Sequence, residues 1–415
     1  MSSTDERREF DLVIWGASGF TGRLVARYLA DHSEVSEIDW AIAGRNEEKL
    51  SALRDELGPD FKALPILIGD SLDRASLVTM AKRTHVVCTT VGPYARYGSK
   101  LVEACLETGT DYCDLTGEAH WIRQMIDAHH DAARDKEVRI VNCCGFDSIP
   151  SDLGTHLVQS EAISRYGKPC HEVRGLVWKI RGGISGGTVA SMADLMAEAT
   201  NDRDVRRILA APYSLNPKGE RSGPDKPFQS GPRLDSTVDA WTGPFLMAAV
   251  NEKVVRRSNA LLDYRYGETF RYSEASHLGK GLPAALRATI MSAGFGAFSA
   301  AIAFKPSRKL LQRFLLPSPG EGPDEETIES GHFTLRFFGT GVDDEGREFQ
   351  IVATIAADAD PGYGATAMML GESALSLALD GSTGGLKGGI LTPATALGDA
   401  LVKRLQAAGM TLEVE

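Results

Sequence analysis

Along the first third of the chain, apolar blocks alternate with segments of helical spacing. Leu12 to Trp15 is a short unbroken apolar run, the pattern of a strand buried on both faces. Arg23 to Ala30 then spaces its apolar residues at threes and fours, which predicts an amphipathic helix. The pairing repeats. Trp40–Ala43 is followed by NEEKLSALRDEL, with Asn46 as cap and Glu47 and Glu48 in the first turn. Leu64–Ile68 precedes a helix from Ser71 to Met80, and His85–Val91 precedes a helix closed by Gly109. DYCDL, a helix over 119–135 and Val138–Cys144 complete the series. Six strands alternating with helices within residues 1–150 predict an α/β fold, a Rossmann-like doubly wound parallel sheet.

After residue 150 the pattern changes. Ser151 is placed to cap a helix, VRGLVWKI reads as a strand, and a glycine-rich stretch leads into a helix near Gly186. Residues 212–240 are dense in Pro, Gly and charge and read as a surface excursion. Strands are expected at Thr269–Ser273, Phe333–Gly339 and Phe349–Ala356, helices at Gly364–Leu379 and Thr392–Ala408, and an edge strand at the tail TLEVE. This predicts a second α+β domain over 151–390 on a largely antiparallel sheet, used for substrate binding or dimerisation. Residues 391–415 would return a helix to the first domain.

Chemistry concentrates where the first strand meets the first helix. Gly16, Ala17, Ser18, Gly19, Phe20, Thr21 and Gly22 form a G-x-x-G-x-x-G turn. Such glycines permit a tight turn, approach of a pyrophosphate to backbone amides, and close packing of helix on strand. Arg45 ends the second strand, where folds that bind the unphosphorylated dinucleotide usually place a carboxylate on the ribose. A guanidinium suits a 2′-phosphate, so the expected cofactor is NADP(H). Asp70 follows the third strand and is expected near the adenine. The loop after the fourth strand, with Thr89, Thr90, Gly92, Pro93 and Tyr94, should lie at the same carboxyl edge, toward the nicotinamide. Asp147 and Ser148, in the loop after the sixth strand, are polar groups where a substrate would sit; capping and loop closure is their plainer role.

Composition narrows the class. A net charge of −11 argues against nucleic-acid binding. Cys88, Cys105, Cys113, Cys143, Cys144 and Cys170 form no C-x-x-C pair and suit buried thiols in a reducing cytoplasm; no metal site is expected. The polar N-terminus does not read as a secretion signal. Residues 282–304 are almost uninterruptedly apolar and are followed by Lys305, Arg308, Lys309 and Arg313. Three readings stay open: a buried helix or subunit interface, an element lying in the inner leaflet and held through 282–313 by the basic residues, or a full span. A homo-oligomer in the cytoplasm, peripheral at the plasma membrane under the second reading, is the expected state.

GASGFTG, AIAGRN, TTVGPYARYG, DYCDLTGE and CCGFDSIPSDLG together resemble the saccharopine dehydrogenase-like oxidoreductases. VVRRSNALL, LLPSPGEGP and GGILTPATALGDALV are similar to a narrower branch, the mycobacterial-type trans-acting enoyl reductases, and the match runs over nearly the whole chain. The resemblance implies NADPH-dependent reduction of an enoyl thioester or related lipid intermediate in glycolipid or polyketide-lipid assembly, the acyl substrate being carried on a polyketide synthase. Such a reaction requires a donor to the thioester oxygen and a proton for the α-carbon. Tyr94 is a candidate for either role and Ser148 for the oxyanion or for positioning water. The amino-acid branch of the superfamily is the alternative. It would use arginines such as Arg181, Arg256 and Arg257, although VVRRS also reads as a solvated helix. A non-catalytic nucleotide-binding protein at a lipid surface is the third possibility.

Overall fold

The computed structural model describes residues 8–182, 186–304, 306–307, 330–381 and 385–415. The basic residues Lys305 and Arg308 to Arg313 and the LLPSPGEGP motif lie outside them. Two seven-stranded sheets organise the chain. The first is wholly parallel and contains β1 (Phe10–Trp15), β2 (Trp40–Gly44), β3 (Ile66–Ile68), β4 (Thr84–Thr89), β5 (Asp111–Asp114), β6 (Arg139–Val141) and, from far along the chain, β13 (Gly389–Leu391). Its order is β13-β6-β5-β4-β1-β2-β3, so the strand order reverses beside β1, where such sheets bind ligands. The second is mixed, with order β14-β12-β11-β7-β10-β9-β8. Its strands are β7 (Glu172–Arg181), β8 (Arg233–Asp235), β9 (Ala240–Gly243), β10 (Arg271–Gly279), β11 (His332–Val342), β12 (Glu348–Ala357) and β14 (Thr411–Val414). All its pairings are antiparallel except β7 with β10.

The helices are α1 (Phe20–Ala30), α2 (Glu47–Glu56), α3 (Arg74–Ala81), α4 (Tyr94–Tyr97), α5 (Ser99–Thr108), α6 (Ala119–Asp135), α7 (Ile149–Tyr166), α8 (Gly186–Asn201), α9 (Arg203–Ala210), α10 (Ala248–Leu261), α11 (Gly281–Ala303), α12 (Gly364–Leu379), α13 (Pro393–Ala396) and α14 (Gly398–Ala407). One apolar core runs through both sheets. Leu12, Ile14 and Val86 of the first share it with Leu370, Ala374 and Leu375 of α12, Leu153 and Val158 of α7, and Phe337 and Ile351 of the second.

The elements follow the apolar periodicity closely, and the departures have local causes. The sixth strand stops at Val141 because Cys143 adopts φ 66°. The buried Asp114 carboxylate fixes that bend by accepting from Cys143 N at 3.1 Å and Asn142 Nδ2 at 2.8 Å. Helix α7 starts at Ile149 with Pro150 in its first turn, so Ser151 lies inside the helix rather than at its cap. Its hydroxyl accepts from Asn251. The segment 392–408 breaks into α13 and α14 at Gly398, whose φ is 45°. The return to the first sheet begins well before residue 391: α12 packs on α1, and β13 extends the sheet beside β6. The last strand, β14, instead leaves to pair with β12 at the edge of the second sheet.

The stretch VVRRS lies in α10 and is not solvated; Val254 to Ser258 are all buried. Arg256 pairs with Asp225 and Glu252, and Arg257 donates to the carbonyls of Leu215 and Ile390. The supposed excursion over 212–240 is therefore partly an inner layer. Its Tyr213 and Leu215 are buried, and its carbonyls receive the α10 arginines. All six cysteines are buried free thiols.

Candidate active site

At the carboxyl edge of the parallel sheet lies a cleft of about 920 Å³. Its floor is the glycine turn. Gly16 has φ 90°, and a Cβ there would meet Val91 Cγ2 at 2.5 Å. A Cβ on Gly22 would collide with the Gly16 carbonyl, so the turn and α1 can approach this closely only with glycine at both positions. Gly19 N donates to Gly16 O at 2.9 Å and closes the turn. Thr90 joins it to the neighbouring strand end: Thr90 N donates to Trp15 O at 3.0 Å, and its hydroxyl to Gly16 O at 3.3 Å. Gly16, Ser18, Gly19, Phe20, Thr21 and Gly22 all line the cleft, as do Thr90, Gly92 and Pro93. Ala17 does not: its side chain is fully buried behind the turn, which leaves only its backbone to the site.

One end of the cleft is cationic. Arg45 follows Gly44 at the end of β2 and faces the cleft, exposed and with no ion pair among the described residues. Lys49 joins it from the first turn of α2, which Asn46 caps by accepting from Lys49 N at 2.9 Å. Asp70 lies on the same wall and accepts from Leu72 N at 2.8 Å. Periodicity alone did not single out Lys49, although its position four residues after Arg45 was a readable signal. These residues fit a nicotinamide dinucleotide. The glycine cradle leaves room for a diphosphate at the N-terminus of α1, and Arg45 and Lys49, neither ion-paired among the described residues, bring positive charge to one end of the groove.

The other end is apolar. Phe228, Leu246, Met247, Phe295, Phe298 and Ile302 line a chamber continuous with the dinucleotide groove. Asp147 lines the cleft near Gly117, makes no hydrogen bond with the described residues, and has its carboxyl pushed up to about 6 by burial. Ser148 and Tyr94 are placed differently from Asp147. Ser148 is fully buried and donates to Asn251 Oδ1 at 3.0 Å, inside a polar network that continues to Ser151 and Glu274. Tyr94 shows the cleft only part of its ring. Its hydroxyl donates inward to Thr89 O at 3.2 Å and accepts from Leu115 N, and burial holds the phenol far above its ordinary range. The geometry thus takes the Ser148 and Tyr94 hydroxyls out of the cleft, because both loops turn those side chains back into the core.

Glu118 is an organising residue that sequence reasoning missed. Its carboxylate accepts from Tyr94 N and Ala95 N, each at 2.8 Å, and from the Ser191 hydroxyl of α8 at 2.8 Å. Arg96 and Asp194 add an ion pair at 2.7 Å between the same two elements. Helix α8 is thereby tied across the cleft to the loop after β4.

The profile of the saccharopine dehydrogenase NADP binding domain matches residues 12–141, the span that contains the glycine turn, Arg45 and β4. A protein named "Trans-acting enoyl reductase" from Mycobacterium tuberculosis is 40% identical over 98% of this chain and 97% of its own length. One of the same name from Mycobacterium ulcerans is 39% identical over 98% of both chains. The chain belongs to the trans-acting enoyl reductase family. It is accordingly an oxidoreductase with a nicotinamide-nucleotide domain, within the saccharopine dehydrogenase-like group. The apo structure of saccharopine dehydrogenase (L-Glu forming) from Saccharomyces cerevisiae shares the fold, with a TM-score of 0.53 and 14% identity over 98% of this chain and 99% of that one. Arg256 and Arg257, the candidates for holding an amino-acid substrate, do not face the cleft; both are held by buried structural partners.

Proposed function

We propose that this chain is an NADPH-dependent reductase of an α,β-unsaturated acyl thioester with a long apolar chain, of the kind a polyketide synthase carries. One observation carries the reading: the groove with glycine floor and free Arg45 and Lys49 runs without a break into a chamber of phenylalanine, leucine, methionine and isoleucine side chains. An amine–ketoacid adduct carries several carboxylates and would want free cations in that chamber. An acyl chain wants what is there, because burying its methylenes is worth about 0.8 kcal/mol each.

NADPH, when bound, supplies the hydride. The chain itself has to hold the acyl group, exclude water and deliver a proton to the α-carbon. Arg45 and Lys49 would hold the 2′-phosphate, and the turn from Gly16 to Gly22 the diphosphate. Asp147 is the proton donor in this reading. Its carboxyl lines the cleft, has no hydrogen-bond partner among the described residues, and is pushed up to about 6 by burial, so an appreciable fraction is protonated at working pH. After donation the carboxylate is reprotonated from solvent at the cleft.

The test is NADPH oxidation with enoyl thioesters of increasing chain length, beside saccharopine and its ketoacid partners. Turnover that rises with chain length supports the reading. Turnover confined to the amino-acid substrates, with none on any enoyl thioester, would overturn it. A thermal-shift series with NADPH and NADH separates cofactor choice from catalysis.

A further inference from the structure

Helix α11 has two apolar faces. Ala284, Ala288, Phe295, Phe298 and Ile302, spaced at threes, fours and one seven, turn inward, and the last three wall the acyl chamber. The opposite stripe, Leu282, Leu286, Ile290, Ala293, Ala297 and Phe304, is exposed. Leu282 is 85% exposed, Leu286 62% and Ile290 63%. A surface helix of a soluble enzyme would place polar residues there. This helix is 23 residues long, and only 11% of its most apolar stretch is buried in the protein. Two of its hydroxyls are bonded to the helix's own backbone: Thr289 donates to Ala285 O at 2.9 Å and Ser292 to Ala288 O at 2.8 Å.

We propose that the outer face of α11 docks on an anionic lipid bilayer, lying in its interface, so that the acyl chain enters the chamber from the membrane side of the helix. The proposal deepens the acyl-reductase reading and rests on it for the identity of the chain that enters. Charge selects the occupant. The protein carries a net −11, yet from Ala275 to Gly320 it has Arg287, Lys305, Arg308, Lys309 and Arg313, besides Lys280, which Asp239 pairs at 2.9 Å, and not one Asp or Glu. Two copies meeting through this stretch would oppose like charges. An anionic leaflet complements them. The stripe itself is apolar along its length, as an interfacial helix requires. A single helix then serves as lipid contact outside and chamber wall inside.

The experiment is flotation of the full chain with phosphatidylcholine vesicles, with and without phosphatidylglycerol. The comparison is the double variant Leu286→Asp with Ile290→Asp, and a milder Leu286→Ser with Ile290→Ser pair in case the first misfolds. Expected is flotation of the wild type with the anionic vesicles, weaker flotation at high salt, and at least a ten-fold lower bound fraction for the variants. Turnover of a short water-soluble enoyl thioester and the NADPH thermal shift should be unchanged. Variants that float like the wild type, or a wild type that floats with neither vesicle, would overturn the proposal. So would a wild-type dimer that the variants convert to monomer without any flotation, which would make the face a contact between copies. Intact flotation without turnover on any enoyl thioester would instead strike the catalytic reading alone.

Discussion

The proton-donor role proposed for Asp147 sets stability against catalysis at a single side chain. Burial raises its carboxyl to about 6, so between the ordinary carboxylate range and that value the folded chain binds more protons than the unfolded one. Stability from this group therefore falls as pH climbs from about 4 to about 6 and stays at its lower level above. Asp147→Asn removes the buried charge. We expect it to unfold at a higher temperature than the wild type at pH 8, by on the order of 1–2 kcal/mol after allowing for water in the cleft, with the gap closing near pH 4. Its turnover on enoyl thioesters should fall by about 10²–10⁴-fold while NADPH protection persists. Calorimetry at the two pH values and steady-state kinetics check both halves; an active variant would remove Asp147 from the chemistry. At the far end of the cleft, Arg45→Ala should weaken NADPH by about 10–100-fold and leave NADH unaffected, the loss expected for a charge-assisted contact to the extra phosphate. Lys49→Ala should do the same to a smaller degree, and titration with both nucleotides reads it directly. Arg45 was legible from the sequence because it ends a strand whose place in the fold is fixed by the glycine turn. The hydroxyl directions of Tyr94 and Ser148 were not, since they depend on Thr89 O, Leu115 N and Asn251, which lie on other elements.

Helix α10 shows why some elements cannot be read from their own residues. Two adjacent arginines suggest a wet face, and what buries them comes from elsewhere: Asp225, the Pro212 and Leu215 carbonyls, and Ile390 of β13. None of those partners belongs to a periodic segment except β13, so no pattern announced them. Parallel strands and their helices were legible for the opposite reason, because their apolar residues are buried by neighbours of the same kind. The test of the α10 account is Arg257→Met. It keeps the volume but leaves two buried carbonyls without their donor, and should cost about 2–4 kcal/mol, read as a lower urea midpoint with unchanged slope. Helix α7 meets a steric limit instead. A Cβ at Gly154 would collide with the Phe337 ring, so Gly154→Ala should destabilise by about 1–3 kcal/mol although alanine is the better helix former.

At the scale of the whole molecule the two sheets are not two independent folding units. The nucleotide sheet takes its edge strand β13 from residues 389–391, and one of its faces is covered by α12, whose Leu370, Ala374 and Leu375 pack in the same core as Leu12, Ile14 and Val86. Tyr28 of α1 hydrogen-bonds Glu372 of α12, and a Cβ on Gly371 would strike the Tyr28 ring, so the contact is built closely on both sides. Arg139 of β6 likewise reaches the carbonyls of Leu377 and Gly381. A fragment of residues 1–150 keeps the glycine turn and Arg45 but exposes the face that α12 covers and loses those partners. It should lack a cooperative transition and gain no protection from NADPH. The full chain should unfold in one step seen alike by fluorescence and far-ultraviolet dichroism, shifted upward by NADPH by about 2.7 kcal/mol at a hundred-fold excess over its Kd. A fragment that melts cooperatively, and is stabilised by NADPH as much as the full chain, would show that the nucleotide unit stands alone. The shared core would then be a docking surface between two domains rather than a condition for folding either.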